Sequence, residues 1–232
     1  MRRYIVGVTG ASGSVCARSV LRHLSRHPEV ERVHVVLSHF SLQTMSAEFD
    51  KAVRDEAEGL RLLLEGETGE RIVLHRSGDM AAAVSSGSYP ADGMIVVPCS
   101  GGTLAAIANG TSTNLLHRAA EVTLKERRPL VLAFRETPVS LVHIENMARA
   151  ARAGAIIYPL TPAFYNRPQS LEEIVEQFTA RIFDLLCLPY ALGKRWGTAC
   201  SRAAAPRPPG AWPGTASRRR PAGGAPSPPP CR

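Results

Sequence analysis

Three short stretches gather residues that could do chemistry. Gly10, Ala11, Ser12 and Gly13 make a glycine-rich turn, the kind of segment whose backbone N–H groups can approach a phosphate while the following helix adds favourable partial charge. An ordinary tight turn would look the same. Ser100, Gly101, Gly102 and Thr103 repeat the theme with two hydroxyls, and Arg135 next to Glu136 sets a cation beside a carboxylate. A carboxylate so placed can have its pKa set by cation and burial together, which makes Glu136 the best acid–base candidate, with a structural ion pair as the plainer reading. Glu48 is a second carboxylate, for which a surface role is equally consistent. Arg118 and Lys125 stand seven positions apart, about 20° from eclipsed on a helix, and so share one face. With Arg135 and Arg181 they form four cations able to surround a dianionic group, although each of them singly reads as a solvated surface charge.

Positioning these residues requires strands that end where they begin. Short β-branched runs at 4–9, 33–37, 94–97, 130–134 and 155–158 alternate with amphipathic stretches at 15–26, 41–49, 114–127, 139–153 and 171–186. The strand runs are nearly continuously apolar, as strands buried on both faces are, and the rhythm predicts an α/β fold: one doubly wound parallel sheet. In such sheets ligands bind beyond the carboxyl ends of the strands. All three stretches fall there, and so does Ser38.

The spacing Gly7, Gly10, Gly13 is a loose relative of dinucleotide fingerprints. A dinucleotide enzyme, however, would usually carry an acidic or basic residue near the end of the second strand to hold the ribose. Ser38 and His39 stand there instead. The reading narrows to a mononucleotide whose phosphate could use the first turn together with Ser100 and Thr103.

Composition bounds the rest. A chain of 232 residues, 44% hydrophobic, suits one domain with a buried core. Its net charge of +8 is concentrated in residues 197–232, which hold six arginines, no acidic residue and nine of the 18 prolines. That stretch lacks Leu, Ile, Val, Met, Phe and Tyr and is expected to be a disordered tail, leaving residues 1–196 as a near-neutral domain. The charge therefore argues for neither a nucleic-acid nor a membrane partner. Five cysteines without metal-ligand spacing suggest a reducing compartment, and no apolar stretch has signal-peptide or membrane-span length, so a soluble cytoplasmic protein is expected. The histidines show neither metal spacing nor a nucleophile to pair with.

Several ordered segments carry a resemblance: GVTGASG from Gly7, SSGSY from Ser85, VVPCSGGTLAAIANG from Val96, NLLHRAAEVTLKERRPLVL from Asn114, RETP from Arg135 and PAFYNRPQS from Pro162, with a thinner echo at Arg195-Trp196. Together they resemble the flavin prenyltransferases (UbiX-like), a family with a Rossmann-like flavoprotein fold. The resemblance implies transfer of a dimethylallyl group from dimethylallyl phosphate to N5 and C6 of reduced FMN, without a metal. The prenylated FMN would serve UbiD-type decarboxylases in ubiquinone biosynthesis or aromatic acid decarboxylation, and the assembly would be a homo-oligomer, a dodecamer, with sites shared between subunits. Carried over by position, flavin contacts fall on Gly10, Ala11, Ser12, Ser38, Ser100, Gly101, Gly102, Thr103 and Arg135. The prenyl phosphate would meet Tyr165 and Arg181, with Arg118 and Lys125 adding charge. Glu48 and Glu136 become the site carboxylates, Ser12 orders flavin and substrate, and Tyr89 forms an aromatic wall. Two other readings remain open: a related FMN-dependent cysteine-type decarboxylase, and a non-catalytic flavin-binding subunit of a decarboxylase. The family pattern ends soon after Trp196, whereas this chain continues to Arg232.

Overall fold

A computed structural model of the chain describes residues 1–65 and 69–190. The expected tail and the Arg195-Trp196 echo lie outside the described residues. Six strands form one parallel sheet in the order β3-β2-β1-β4-β5-β6: β1 (Arg2–Val8), β2 (Val30–Leu37), β3 (Ile72–His75), β4 (Gly93–Cys99), β5 (Leu130–Phe134) and β6 (Ile156–Ile157). This is the doubly wound order, in which the chain builds outward from β1 to β3, returns, and builds the other way from β4. The switch point lies between β1 and β4. There the Thr9 hydroxyl donates to the Pro98 carbonyl at 2.7 Å and accepts from the Ser100 N–H at 2.9 Å, tying the two strand ends together.

The alternation of each strand divides the core into two layers. Tyr4, Val6 and Val8 of β1 pack with α1 (Ser14–Arg26) and α7 (Leu171–Leu185), while Ile5 joins the opposite layer against α5 (Leu115–Lys125). Helix α1 buries Cys16, Ala17, Val20, Leu21 and Leu24, and α7 answers with Val175, Phe178, Ile182 and Phe183. Those spacings put one apolar stripe on each helix, so both lie flat against the sheet. A fully buried ring such as Phe183 contributes about 1.5–3 kcal/mol of apolar transfer, which is what holds α7 in place.

Three elements go beyond the sequence expectation: β3, α3 (Glu56–Leu63) and α4 (Gly101–Ala108). Strand β3 has four half-buried residues at the sheet edge, too short for periodicity to register. Helix α4 opens on two glycines, which disfavour helix, and is started by a Ser100 cap whose side chain accepts from the Thr103 N–H. The remaining helices are α2 (His39–Phe49) and α6 (Leu141–Arg152). No helix among the described residues is long and apolar enough to cross a membrane.

Candidate functional site

The first turn is held open for its neighbours by its glycines. Gly13 sits at φ 122°, a backbone conformation that L side chains rarely adopt, and caps α1. A Cβ on Gly10 would lie 2.6 Å from the Cβ of Phe40, so only glycine lets the turn approach the start of α2 this closely. The Thr44 hydroxyl completes the junction by donating to the Gly10 carbonyl at 3.1 Å.

N–H groups at the start of α1 are engaged from within the chain. The Glu48 carboxylate, from the last turn of α2, accepts from the Gly13 N–H at 2.6 Å and the Ser14 N–H at 2.7 Å. Partial desolvation pushes the Glu48 carboxyl up, but hydrogen bonds from the Ser12 hydroxyl and these N–H groups outweigh it and hold Glu48 below the ordinary carboxylate range. Glu48 is thus an ionised acceptor, and it joins Ser12 to the helix end. Two more helix starts border the same edge. Ser38 caps α2 and accepts from the Ser41 N–H, and Ser100 caps α4 while donating to the Thr103 hydroxyl at 3.2 Å. Gly102 is exposed, and a Cβ there would meet nothing within 4 Å, so open space borders this second start.

Arg135 and Glu136 follow β5 on the same edge and are exposed. The Arg135 N–H donates to the Cys99 carbonyl at 3.1 Å, locking this strand end to β4. Glu136 accepts from the Thr137 N–H at 3.1 Å. His143, on the first turn of α6, stands over Gly101, where an added Cβ would lie 2.7 Å from its Nε2. Cys99, between Pro98 and Ser100, is buried, and burial pushes its thiol up to about 12, so it supplies no thiolate nucleophile. Tyr165 lies past β6 and is exposed. Arg181, on α7, pairs with Asp184 at 2.7 Å.

Three of the proposed residues form another group. Tyr89 precedes β4, at the amino edge of the sheet, with the Arg3 guanidinium 5.9 Å from its ring centre. Lys125 ends α5, shortly before β5 begins, and pairs with Glu126 at 2.6 Å. Arg118 donates to the Ser85 carbonyl at 3.2 Å and to Glu121 at 3.2 Å. The chain brings Gly10, Ala11, Ser12, Ser38, Glu48, Ser100, Gly101, Gly102, Thr103, Arg135 and Glu136 to the carboxyl edge, and gathers Tyr89, Arg118 and Lys125 around the turn 85–89.

That second group includes residues that sequence reasoning did not single out. Ser86 and Ser88 are exposed with hydroxyls 2.9 Å apart, on a turn whose Gly87 abuts Lys125. Arg128 donates to the Gly87 and Tyr89 carbonyls at 2.8 and 2.7 Å. The run of small hydroxyl residues around Gly87 was the available signal.

Comparison with known proteins bears on all of this. The family model described as Flavoprotein matches residues 1–183. The flavin prenyltransferase LpdB of Lactiplantibacillus plantarum is 41% identical over 196 residues, covering 84% of this chain and 98% of its own. A crystal structure of AnUbiX (PadA1) in complex with FMN and dimethylallyl pyrophosphate superposes with a TM-score of 0.70 at 44% identity, covering 81% of this chain and 93% of that one. A dodecameric FMN-dependent UbiX-like decarboxylase from Escherichia coli O157:H7 gives a TM-score of 0.74 at 38% identity, over 84% of this chain and all of that one.

Proposed function

The chain belongs to the Flavoprotein family as a UbiX-like flavin prenyltransferase that works with FMN, and we propose that it transfers the dimethylallyl group of dimethylallyl phosphate to N5 and C6 of reduced FMN. The observation that carries the reading is the convergence of the ends of β1, β2, β4 and β5 on one edge, where helix starts, hydroxyls, a cation and a carboxylate stand around open space at Gly102. The residues fit a flavin mononucleotide. The capped starts of α2 and α4 offer N–H groups and hydroxyls to a phosphate, Arg135 offers charge, and the Phe40 ring, 66% exposed, offers an apolar face. Reduced FMN supplies the nucleophilic ring positions when bound.

The work of the chain's own residues follows. Ionising an allylic phosphate calls for cations around the leaving group, and Arg118, Lys125 and Arg181 supply them, with Tyr165 as hydroxyl donor. Tyr89 provides an aromatic surface that favours a neighbouring cation. Ser12, bonded to the ionised Glu48, orients the reacting pair, and Glu136 would take the proton lost from the ring carbon being alkylated and deliver one to the allyl double bond, so that its far carbon can be attacked.

The separation of the two groups supports a site shared between copies: the carboxyl edge of one protomer would face the group around Arg118 and Lys125 of another. Exposed Phe40, Leu141, Val142, Phe164 and Tyr165 give that edge an apolar border suited to burial against a second copy. The product would pass to a UbiD-type decarboxylase. Anaerobic incubation of pure protein with reduced FMN and dimethylallyl phosphate, followed by mass spectrometry, tests the reaction, and an unchanged flavin mass would sink it. Co-expression of Glu136→Gln with Arg118→Ala tests the shared site. Two impaired variants should recover part of the activity when mixed in one assembly, and no recovery would argue for sites contained in single protomers.

A further inference from the structure

Beneath the turn 85–89 lies a hydrogen-bonded chain, centred on a buried histidine, that the proposed reaction does not use. His34, in the middle of β2, is 5% exposed, and both of its ring nitrogens are engaged. Its Nε2 is 2.6 Å from the Tyr89 hydroxyl, and its Nδ1 is 2.8 Å from Nε2 of His75 on the adjacent strand β3. The two imidazoles lie within 20° of parallel, and the Tyr89 ring stands at 84° to His34. Burial, with His75, Arg32 and Arg3 adding to it, pushes His34 down to about 4, and burial also lowers His75 although Asp79 pulls it back. Both rings are neutral at neutral pH. Each then carries one N–H and one acceptor nitrogen, so the chain has a direction: either the tyrosine hydroxyl donates inward and His34 donates to His75, or both bonds run the other way.

The consequence concerns the turn above. Tyr89 is its last residue and its anchor: the hydroxyl is held from inside by His34, while Arg128 holds the Tyr89 and Gly87 carbonyls and Arg118 holds the Ser85 carbonyl. The same turn presents the Ser86 and Ser88 hydroxyls beside Lys125. We infer that His34 and His75 are positioning residues for the prenyl phosphate: by holding Tyr89 they fix the turn 85–89 and the aim of the Arg118 guanidinium bonded to it. The inference rests on the reading of Tyr89, Arg118 and Lys125 as substrate residues.

The test compares steady-state prenylation by wild type, Tyr89→Phe, His34→Leu, the double variant and Arg118→Ala, with flavin affinity measured alongside. Tyr89→Phe removes only the hydroxyl and should raise KM for dimethylallyl phosphate about five-fold, the effect of one neutral hydrogen bond. The loss should fall on KM more than on kcat and leave flavin affinity within twofold. His34→Leu should match or exceed it, and Tyr89→Phe added to His34→Leu should cost nothing more, which independent structural damage would not produce. If Arg118→Ala raises KM while Tyr89→Phe does not, or if the single effects simply multiply, the positioning role is wrong and the site reading stands. Arg118→Ala with an unchanged KM, or wild type that forms no product, would overturn both.

Discussion

Replacing Gly10 by alanine is a direct test of how the first turn and α2 form one wall of the site. The added Cβ would lie 2.6 Å from the Phe40 Cβ and 3.2 Å from the Phe40 backbone carbon and oxygen. Ordinary carbon–carbon contact is about 3.5–4.0 Å, so relief requires roughly an ångström of movement. The obstructing atoms are backbone and Cβ, which cannot rotate away. The turn and the start of α2 must therefore separate, and they carry Ser12 and Ser38, two of the proposed flavin contacts. Overpacking of this kind costs about 1–3 kcal/mol. In a domain of this size that lowers Tm by roughly 2–12 °C, and if the displacement reaches the flavin it weakens FMN affinity by about 5- to 150-fold. Thermal unfolding of the apoprotein and fluorescence titration with FMN measure the two effects. A Gly10→Ala protein with wild-type Tm and wild-type FMN affinity would refute the argument that this close approach shapes the site.

Gly101→Ala provides the contrast, since its Cβ would meet the far end of the His143 side chain, which can swing aside; the Tm should fall by less than about 3 °C. Glu48→Gln should destabilise the fold by about 1 kcal/mol at pH 7, discounted because the group is exposed, through weakened bonds to the Gly13 and Ser14 N–H groups. The folded carboxyl titrates below its unfolded value near 4.3. Its contribution is therefore complete above that pH and lost as pH falls through the folded value, so urea denaturation of wild type and variant should converge in acid and differ at neutrality. Glu136→Gln should keep its flavin and lose about 100-fold or more in kcat, and an unaffected rate in single-turnover prenylation would remove its proton-handling role.

The rhythm of strands and helices was readable because each element carries its own local pattern: the apolar run of β1, the stripe of α1, the stripe of α7. The convergence of residues 10–13, Ser38, residues 100–103 and the Arg135-Glu136 pair was readable too, since a parallel sheet sends every strand end to the same edge. Elements without a strong period escaped, such as the short edge strand β3 and the glycine-opened α4.

The residues that follow strands, and hence the chemistry available at one edge, could be read along the chain. Which of them meet depended on the folded tertiary structure. It brought Glu48 across 35 positions to close the start of α1, set Gly10 against Phe40, linked the buried His34 to His75 and Tyr89, and gathered Arg118 and Lys125 around the turn that Tyr89 ends. Interaction range accounts for the difference. Periodicity and capping are written within a few residues of chain, whereas these contacts depend on strand order, on which end of a strand a helix returns to, and on how closely two backbones can pack.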